Sequence, residues 1–172
     1  DFTVLDFSGS FREQVVERFV AAYQRGETPN PCIDCNRYVK FGRLMAWARE
    51  HGFAKVASGH YARVEQDAET GRWLLKKGLD PRKDQSYVLY ALTQGELSML
   101  LLPLGGLTKA QVRQLARDRG FENAGKQESQ DICFIPDGDY AGFIQRYAGR
   151  SFPPGAFVGT AGQVYGEHRG II

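Results

Sequence analysis

The chain is poor in cysteine, with three among 172 residues. An odd count excludes a closed disulfide framework, and the length is enough to build a core without covalent staples. Long apolar runs are missing too. The longest, around Tyr87–Leu92 and Ser98–Leu104, fall far short of the ~20 residues that span a bilayer, so no membrane role is expected. There is no excess of one charge: 22 Lys and Arg face 20 Asp and Glu, for a net charge of +2. That balance does not by itself argue for nucleic acid. Basic residues gather only locally, at Arg37/Lys40/Arg43, Lys76/Lys77/Arg82/Lys83 and Arg113/Arg117/Arg119, a pattern that solvated helix faces share. No secretory signal, internal repeat or low-complexity tract is visible, and a reducing cytoplasmic setting is the expectation. No initiating Met is present, and Gly166–Ile172 stop in mid-pattern. An excerpt of a longer chain is therefore expected.

The cysteines that are present fall in two segments. Cys32 and Cys35 lie in the run Thr28-Pro29-Asn30-Pro31-Cys32-Ile33-Asp34-Cys35-Asn36, and Cys133 lies about a hundred residues later in Ser129-Gln130-Asp131-Ile132-Cys133-Phe134-Ile135. Three readings are open: metal or cluster ligands, a redox or sulfur-transfer site, or inert thiols. A thiolate beside a helix N-terminus is stabilised by the helix dipole, and Cys35, just before an expected helix, fits that placement. A structural zinc site needs a fourth ligand, for which the chain offers His51, His60 and His168 beside Cys133. A thioredoxin-like pair gives Cys133 no role.

The surrounding pattern reads as α/β. Thr3–Phe7 looks like a strand. Ser10 and Glu13 form a capping box ahead of Val15, Val16, Phe19, Val20 and Tyr23 at helical spacing. Pro29 and Pro31 predict extended backbone across Thr28–Cys32, with a second helix over Tyr38–Glu50. Lys55-Val56-Ala57 is a short strand leading into Ser58-Gly59-His60-Tyr61, as α/β domains deliver ligand contacts at strand carboxyl ends. A hairpin is expected over Tyr61–Glu65 and Arg72–Lys76, then a helix opened by Lys83-Asp84-Gln85-Ser86. Thr108 and Gln111 cap another helix, Lys109–Arg119. Ile132–Ile135 reads as a buried strand, with Gln130-Asp131 setting polar groups beside the thiol. Asp139–Tyr147 reads as a last helix. A linker at Ser151–Gly155 precedes strand-like pairs at Phe157-Val158 and Val164-Tyr165.

Taken in order, T-P-N-P-x-x-x-C-N with Lys40-Phe41, S-G-H-Y, K-D-Q-S-Y-V-L, the L-P-L-G run at Leu102–Gly105, and K-Q-E-S-Q-D-I-C-F-I at Lys126–Ile135 resemble the tRNA-specific 2-thiouridylases. The resemblance implies ATP-dependent replacement of the C2 oxygen of a tRNA wobble uridine by sulfur. It also implies a partial, doubly wound, adenine-nucleotide α-hydrolase-like catalytic domain over residues 1–150 with a hairpin insertion. Residues 151–172 would be the linker and start of a small β-rich central domain.

Carried over position by position, Cys35 resembles the family's nucleophile and Cys133 its persulfide carrier, the two joining in a transient disulfide. Gly59 resembles an ATP contact, and His60, Lys83, Asp84 and Gln85 resemble tRNA contacts. Asn30, Pro31 and Cys32 match the stretch beside the target base. The implied partners are tRNA and a sulfur-donor protein, a cysteine desulfurase or a relay protein. The family's Ser-Gly-Gly-x-Asp-Ser phosphate loop is absent, with Ser8-Gly9-Ser10 only a remote likeness. The cradle for Mg-dependent ATP is accordingly expected upstream, and the excerpt alone is expected to be inactive. Cys32 stands where many relatives carry Asp, which opens a variant chemistry: Cys32, Cys35 and Cys133 as ligands of a [4Fe-4S] cluster whose open iron carries the hydrosulfide. Outside this family, the alternatives are a non-catalytic zinc- or cluster-binding RNA module and a thiol–disulfide oxidoreductase.

Overall fold

The computed structural model describes residues 2–125 and 132–170. Helix α1 (8–24) starts earlier than its expected capping box. The Asp6 Oδ1 accepts the Ser8 N–H at 2.8 Å, so Ser10 and Glu13 lie inside the helix. It runs through Ser8–Phe11, a π-helical Arg12–Glu17, and Arg18–Gln24. Its apolar stripe of Val15, Val16, Phe19 and Val20 is buried. Thr3–Phe7 forms no strand, and Val4 lies exposed.

Helix α2 (31–50) begins at Pro31 rather than Tyr38. Asn30 is its N-cap, accepting the Cys32 N–H at 3.1 Å. Pro31 at the first helical position needs no hydrogen-bond partner and already holds the helical φ. Pro31 therefore starts the helix, while Asn30 before it keeps the expected extended backbone.

Strand β1 (Val56–Ala57) pairs in parallel with β4 (Leu100–Leu101). The fold is α/β, with this pair beneath α2. Neither β4 nor the helix before it, α3 (Gln94–Met99), was expected. Thr93 and Glu96 cap α3 reciprocally. The hairpin β2 (Ala62–Gln66) with β3 (Trp73–Lys77) lies one residue from its expected place. The L-P-L-G run crosses this hairpin closely: a Cβ on Gly105 would stand 1.7 Å from the Ala62 carbonyl oxygen, so only glycine fits. In place of the helix expected to open at Lys83–Ser86 and continue through Ala91 there is one 3₁₀ turn, Ser86–Val88. Helix α4 (Lys109–Asp118) follows, capped by Thr108 and Gln111 as expected.

The strand expected at Ile132–Ile135 is a turn, closed by the Ile135 N–H on the Ile132 carbonyl at 2.9 Å. Gln130 and Asp131 lie outside the described residues. Helix α5 (Tyr140–Ala148) is capped by Asp139, and β5 (Gly155–Val158) pairs antiparallel with β6 (Val164–His168). Among the described residues no helix is long and apolar enough to cross a membrane.

Two apolar clusters position everything that follows. The first joins Phe41, Met45 and Ala48 of α2 to Val56, Ala62, Val88, Leu89 and Leu100. The second joins Phe19 and Val20 of α1 to Ile135, Ile144 and Phe152. Arg18 of α1 ties the helices together through Asp34 of α2, Nε to Oδ2 at 3.0 Å.

Candidate functional site

Residues three and four apart share a helix face. Because α2 begins at Pro31, Cys32, Cys35, Asn36 and Lys40 all fall on one side of it. That side forms a wall of a cavity of ≈240 Å³. Its other walls include Phe11 and Val15 of α1, then His60, Gln85 and Tyr87, and finally Ile132, Cys133 and Phe134. The two cysteine segments thus meet at one cavity, and all three thiols are unbridged. Cys32 and Cys133 are exposed, while Cys35 is half-buried.

Each cluster holds one side of the cavity. Phe41 packs on the His60 ring at 5.7 Å, tying α2 to the segment after β1. On the other side, Phe134 sits edge-on to Phe11 and Phe19 at 5.7 and 5.4 Å. It also meets Phe143 at 5.5 Å. Cys133 is thereby carried on an aromatic clamp, which the strand expectation did not foresee.

The electrostatics differ from the expected helix-activated thiolate. Burial pushes the Cys35 thiol up from its ordinary range, Lys40 opposes the rise, and the neighbouring Cys133 and Cys32 add to it. Cys32 is also pushed up by burial and by Cys133, against Lys40. The reason is position. The Cys35 N–H already bonds to the Cys32 and Pro31 carbonyls, so this thiol lies past the open helix end, where the dipole acts. Lys40 is the cation that favours ionisation. His60 is lowered from 6.5 to about 4, chiefly by burial and then by Lys40. It is neutral at pH 7, with Nδ1 2.7 Å from the Ser58 hydroxyl.

Asn36, which the sequence reading passed over, is buried and donates from Nδ2 to the Cys32 carbonyl at 2.9 Å. Its Oδ1 is a buried acceptor with no partner among the described residues. Asn36 and Lys40 could have been found from the helical spacing counted from Cys32, had the helix been started at Pro31.

The remaining expected residues lie elsewhere. Gly59, Lys83 and Asp84 line a second cavity of ≈460 Å³ with Tyr61, Arg82 and Lys109, and Gln85 and Tyr87 belong to both cavities. The Gln85 Oε1 accepts the Tyr61 N–H at 3.0 Å. Asp84 is held below the usual carboxylate range: desolvation raises it, but the Gly78 N–H and Ser86 outweigh that. Asn30 caps α2 and lines neither cavity.

A [4Fe-4S] cluster needs its ligands drawn together. Among the described residues no three His, Cys, Asp or Glu side chains form a set that could hold a metal ion. That search concerns a single ion, whereas a cluster takes each thiolate on a different iron; the three thiols that would hold one line the same cavity.

The family model described as tRNA methyl transferase HUP domain matches residues 1–137. A tRNA-specific 2-thiouridylase MnmA of Moorella thermoacetica is 50% identical over 170 residues, 99% of this chain and 48% of that protein. A tRNA-specific 2-thiouridylase MnmA of Heliobacterium modesticaldum is 51% identical over 169 residues, 98% and 44%. One of Clostridioides difficile is 44% identical over 171 residues, 99% and 47%. The chain spans about half the length of the curated relatives it matches.

Proposed function

Because this chain belongs to the tRNA methyl transferase HUP domain family, we propose that it is the thiol-bearing part of an ATP-dependent tRNA-uridine 2-sulfurtransferase. The observation that carries the reading is the single cavity lined by Cys32, Cys35 and Cys133. The names of its relatives supply the substrate class.

In this reading, exposed Cys133 receives a sulfane sulfur from a donor protein, a desulfurase or a relay protein, as Cys133–S–SH. ATP, a substrate held largely by residues outside this chain with Gly59 as one contact, adenylates the uridine C2 oxygen with loss of pyrophosphate and so makes it a leaving group. The terminal sulfur of Cys133 attacks C2, forming a C–S bond as AMP departs. The Cys35 thiolate then attacks the Cys133 Sγ and breaks the S–S bond, leaving sulfur on the base as 2-thiouridine. The two-electron reduction of the sulfane sulfur is balanced by oxidation of Cys35 and Cys133 to a disulfide, which an external thiol reduces. Lys40 stabilises the attacking thiolate. Neutral His60 adds no second positive charge there. Asn30, Pro31, Cys32, His60, Lys83, Asp84 and Gln85 are assigned to the tRNA side. Asp84 acts there by shaping its loop, since its oxygens are engaged by Gly78 and Ser86.

The parallel β1–β4 pair belongs, in the same reading, to a doubly wound sheet of a catalytic domain over residues 1–150. Residues 151–172 begin a β-rich central domain.

The test is 2-thiouridine formation by a chain of the relatives' full length, with ATP, tRNA and a sulfur donor. Cys35→Ser and Cys133→Ser should each lower it by at least about 100-fold, ~2.7 kcal/mol of barrier, with tRNA binding unchanged. Normal turnover by either variant removes the assignment. Equal tRNA binding without any ATP-dependent product would favour a binding module, and disulfide reduction without tRNA an oxidoreductase.

A second reading is favoured by Cys32 lining the same cavity: the three thiols as cluster ligands. Cys32, Cys35 and Cys133 would hold the cluster, which would supply an iron able to carry hydrosulfide. Iron and sulfide in anaerobically purified protein, lost in Cys32→Ser, would support it. Iron-free protein with normal thiolation by Cys32→Ser would end it.

A further inference from the structure

Beyond the thiol cavity the chain carries a basic trough that the sulfur chemistry leaves unused. A cavity of ≈790 Å³ is lined by Leu79, Asp80, Pro81, Arg82 and Lys83 on one side and by Thr108, Lys109, Ala110 and Arg113 of α4 on the other. It shares Arg82, Lys83 and Lys109 with the ≈460 Å³ cavity beside Gly59. That cavity in turn shares Gln85 and Tyr87 with the thiol cavity. The three cavities therefore lie next to one another in a row from Cys35 to Arg113.

Its charge is arranged for an anion. Lys109 and Arg113 are four residues apart and share a face of α4. The Lys109 ammonium stands 5.4 Å over the Tyr61 ring, which keeps it beside these cavities. Asp80 is the one carboxylate in the larger cavity's lining, and it pairs with the Arg82 guanidinium at 3.9 Å. Asp80 accepts the Arg82 and Lys109 N–H groups, each at 3.1 Å, and Asp84 accepts from Gly78 and Ser86. Four cations thus line the larger cavity against one carboxylate, whose oxygens also hold the loop. The lining of the larger cavity contains no aromatic ring and no enclosed slot for a base. An extended polyanion suits this shape better than a nucleotide.

We propose that Lys109 and Arg113 of α4, facing Arg82 and Lys83, grip the phosphodiester backbone of the RNA whose uridine enters the thiol cavity. The inference rests on the proposed function and adds α4 to the RNA surface. The trough holds the strand leading away from the modified nucleotide, and Gln85 and Tyr87 mark the passage between the two.

The experiment titrates a substrate tRNA against the chain of full length between about 50 and 300 mM salt. It compares wild type, Lys109→Ala/Arg113→Ala and the charge-keeping Lys109→Arg/Arg113→Lys, and measures ATP binding in parallel. Each lost phosphate contact lowers the slope of log K against log salt by roughly 0.7–0.9. The alanine pair should therefore lose about 1.5 from the slope and bind at least about 10-fold more weakly near 100 mM salt. The charge-keeping pair should retain most of the affinity, and ATP binding should not change. Unchanged slope and affinity in the alanine pair, with wild type binding tRNA, overturns the inference and leaves the proposed function standing. Weakened ATP binding with intact tRNA binding assigns the trough to nucleotide and also overturns it. A wild-type chain that binds no tRNA removes the proposed function and this inference together.

Discussion

The two cysteine segments are built on opposite principles. Cys32 and Cys35 sit in the first turns of a capped helix whose inner face is fixed by Phe41, Met45 and Ala48. Cys133 rides on a turn with little backbone regularity, held by the burial of Ile135 and the ring contacts of Phe134. The helical side shields its central thiol, and the turn presents its thiol to solvent. This difference suits a division of labour in which the exposed thiol accepts sulfur and the shielded one finishes the transfer. It also means that the two sides should fail separately.

The largest effect is expected from the clamp. Phe134→Ala should cost about 3 kcal/mol, the lower end for truncating a packed phenylalanine, because Phe134 is only partly buried. Hydrogen exchange should speed up in α5 and around Cys133 while α2 is unaffected. Equal loss of protection in both would show that the two sides are one cooperative unit.

The next effect acts on the helical side. His60 is held near 4 when folded and returns to 6.5 when unfolded. Below 6.5 the unfolded chain takes up a proton that the folded chain refuses. The stabilising difference is thus complete above about 6.5 and is lost as the pH falls toward 4. With allowance for solvent in the cavity, roughly 2 kcal/mol should go over that window. His60→Gln should flatten the pH dependence of unfolding there; an unchanged profile would place the acid sensitivity elsewhere.

A smaller change should follow from removing the cap. Asn30→Ala should destabilise the first turn of α2 by about 1 kcal/mol. Alkylation of Cys32 should quicken while that of Cys133 stays the same. The smallest effect is electrostatic: Lys40→Met withdraws the cation that lowers Cys35. The pH profile of Cys35 alkylation should move to higher pH, and a shift to lower pH would contradict Lys40's assigned role.

Local chemistry made much of the fold legible. The Thr108–Gln111 box, the last helix from Asp139 and the β2–β3 hairpin rest on short-range signals, and each stands within a residue or so of its expected place. β1 stood where the short strand at Lys55–Ala57 was expected, but its partner β4 was not legible, because a two-residue strand is defined by its partner and not by its own pattern. Ile132–Ile135 misled by composition, since its apolar residues anchor a turn instead of pairing in a sheet. Asn30-Pro31 held a readable cap signal, which the extended reading of proline overrode. That single choice also hid Asn36 and Lys40, whose place beside the thiols depends on where the helix starts. The meeting of Cys35 with Cys133 followed from the family pattern, whereas the trough along α4 depends on the Asp80 loop lying against that helix.

The most direct test of the account is one turnover of the full-length protein. Persulfide-loaded enzyme, ATP and tRNA are mixed without reductant, and the thiols are trapped and mapped by peptide mass spectrometry. The account predicts a Cys35–Cys133 disulfide in one-to-one yield with 2-thiouridine. Product formed with both thiols still reduced, or with a disulfide joining Cys32 to Cys133 instead, would contradict it.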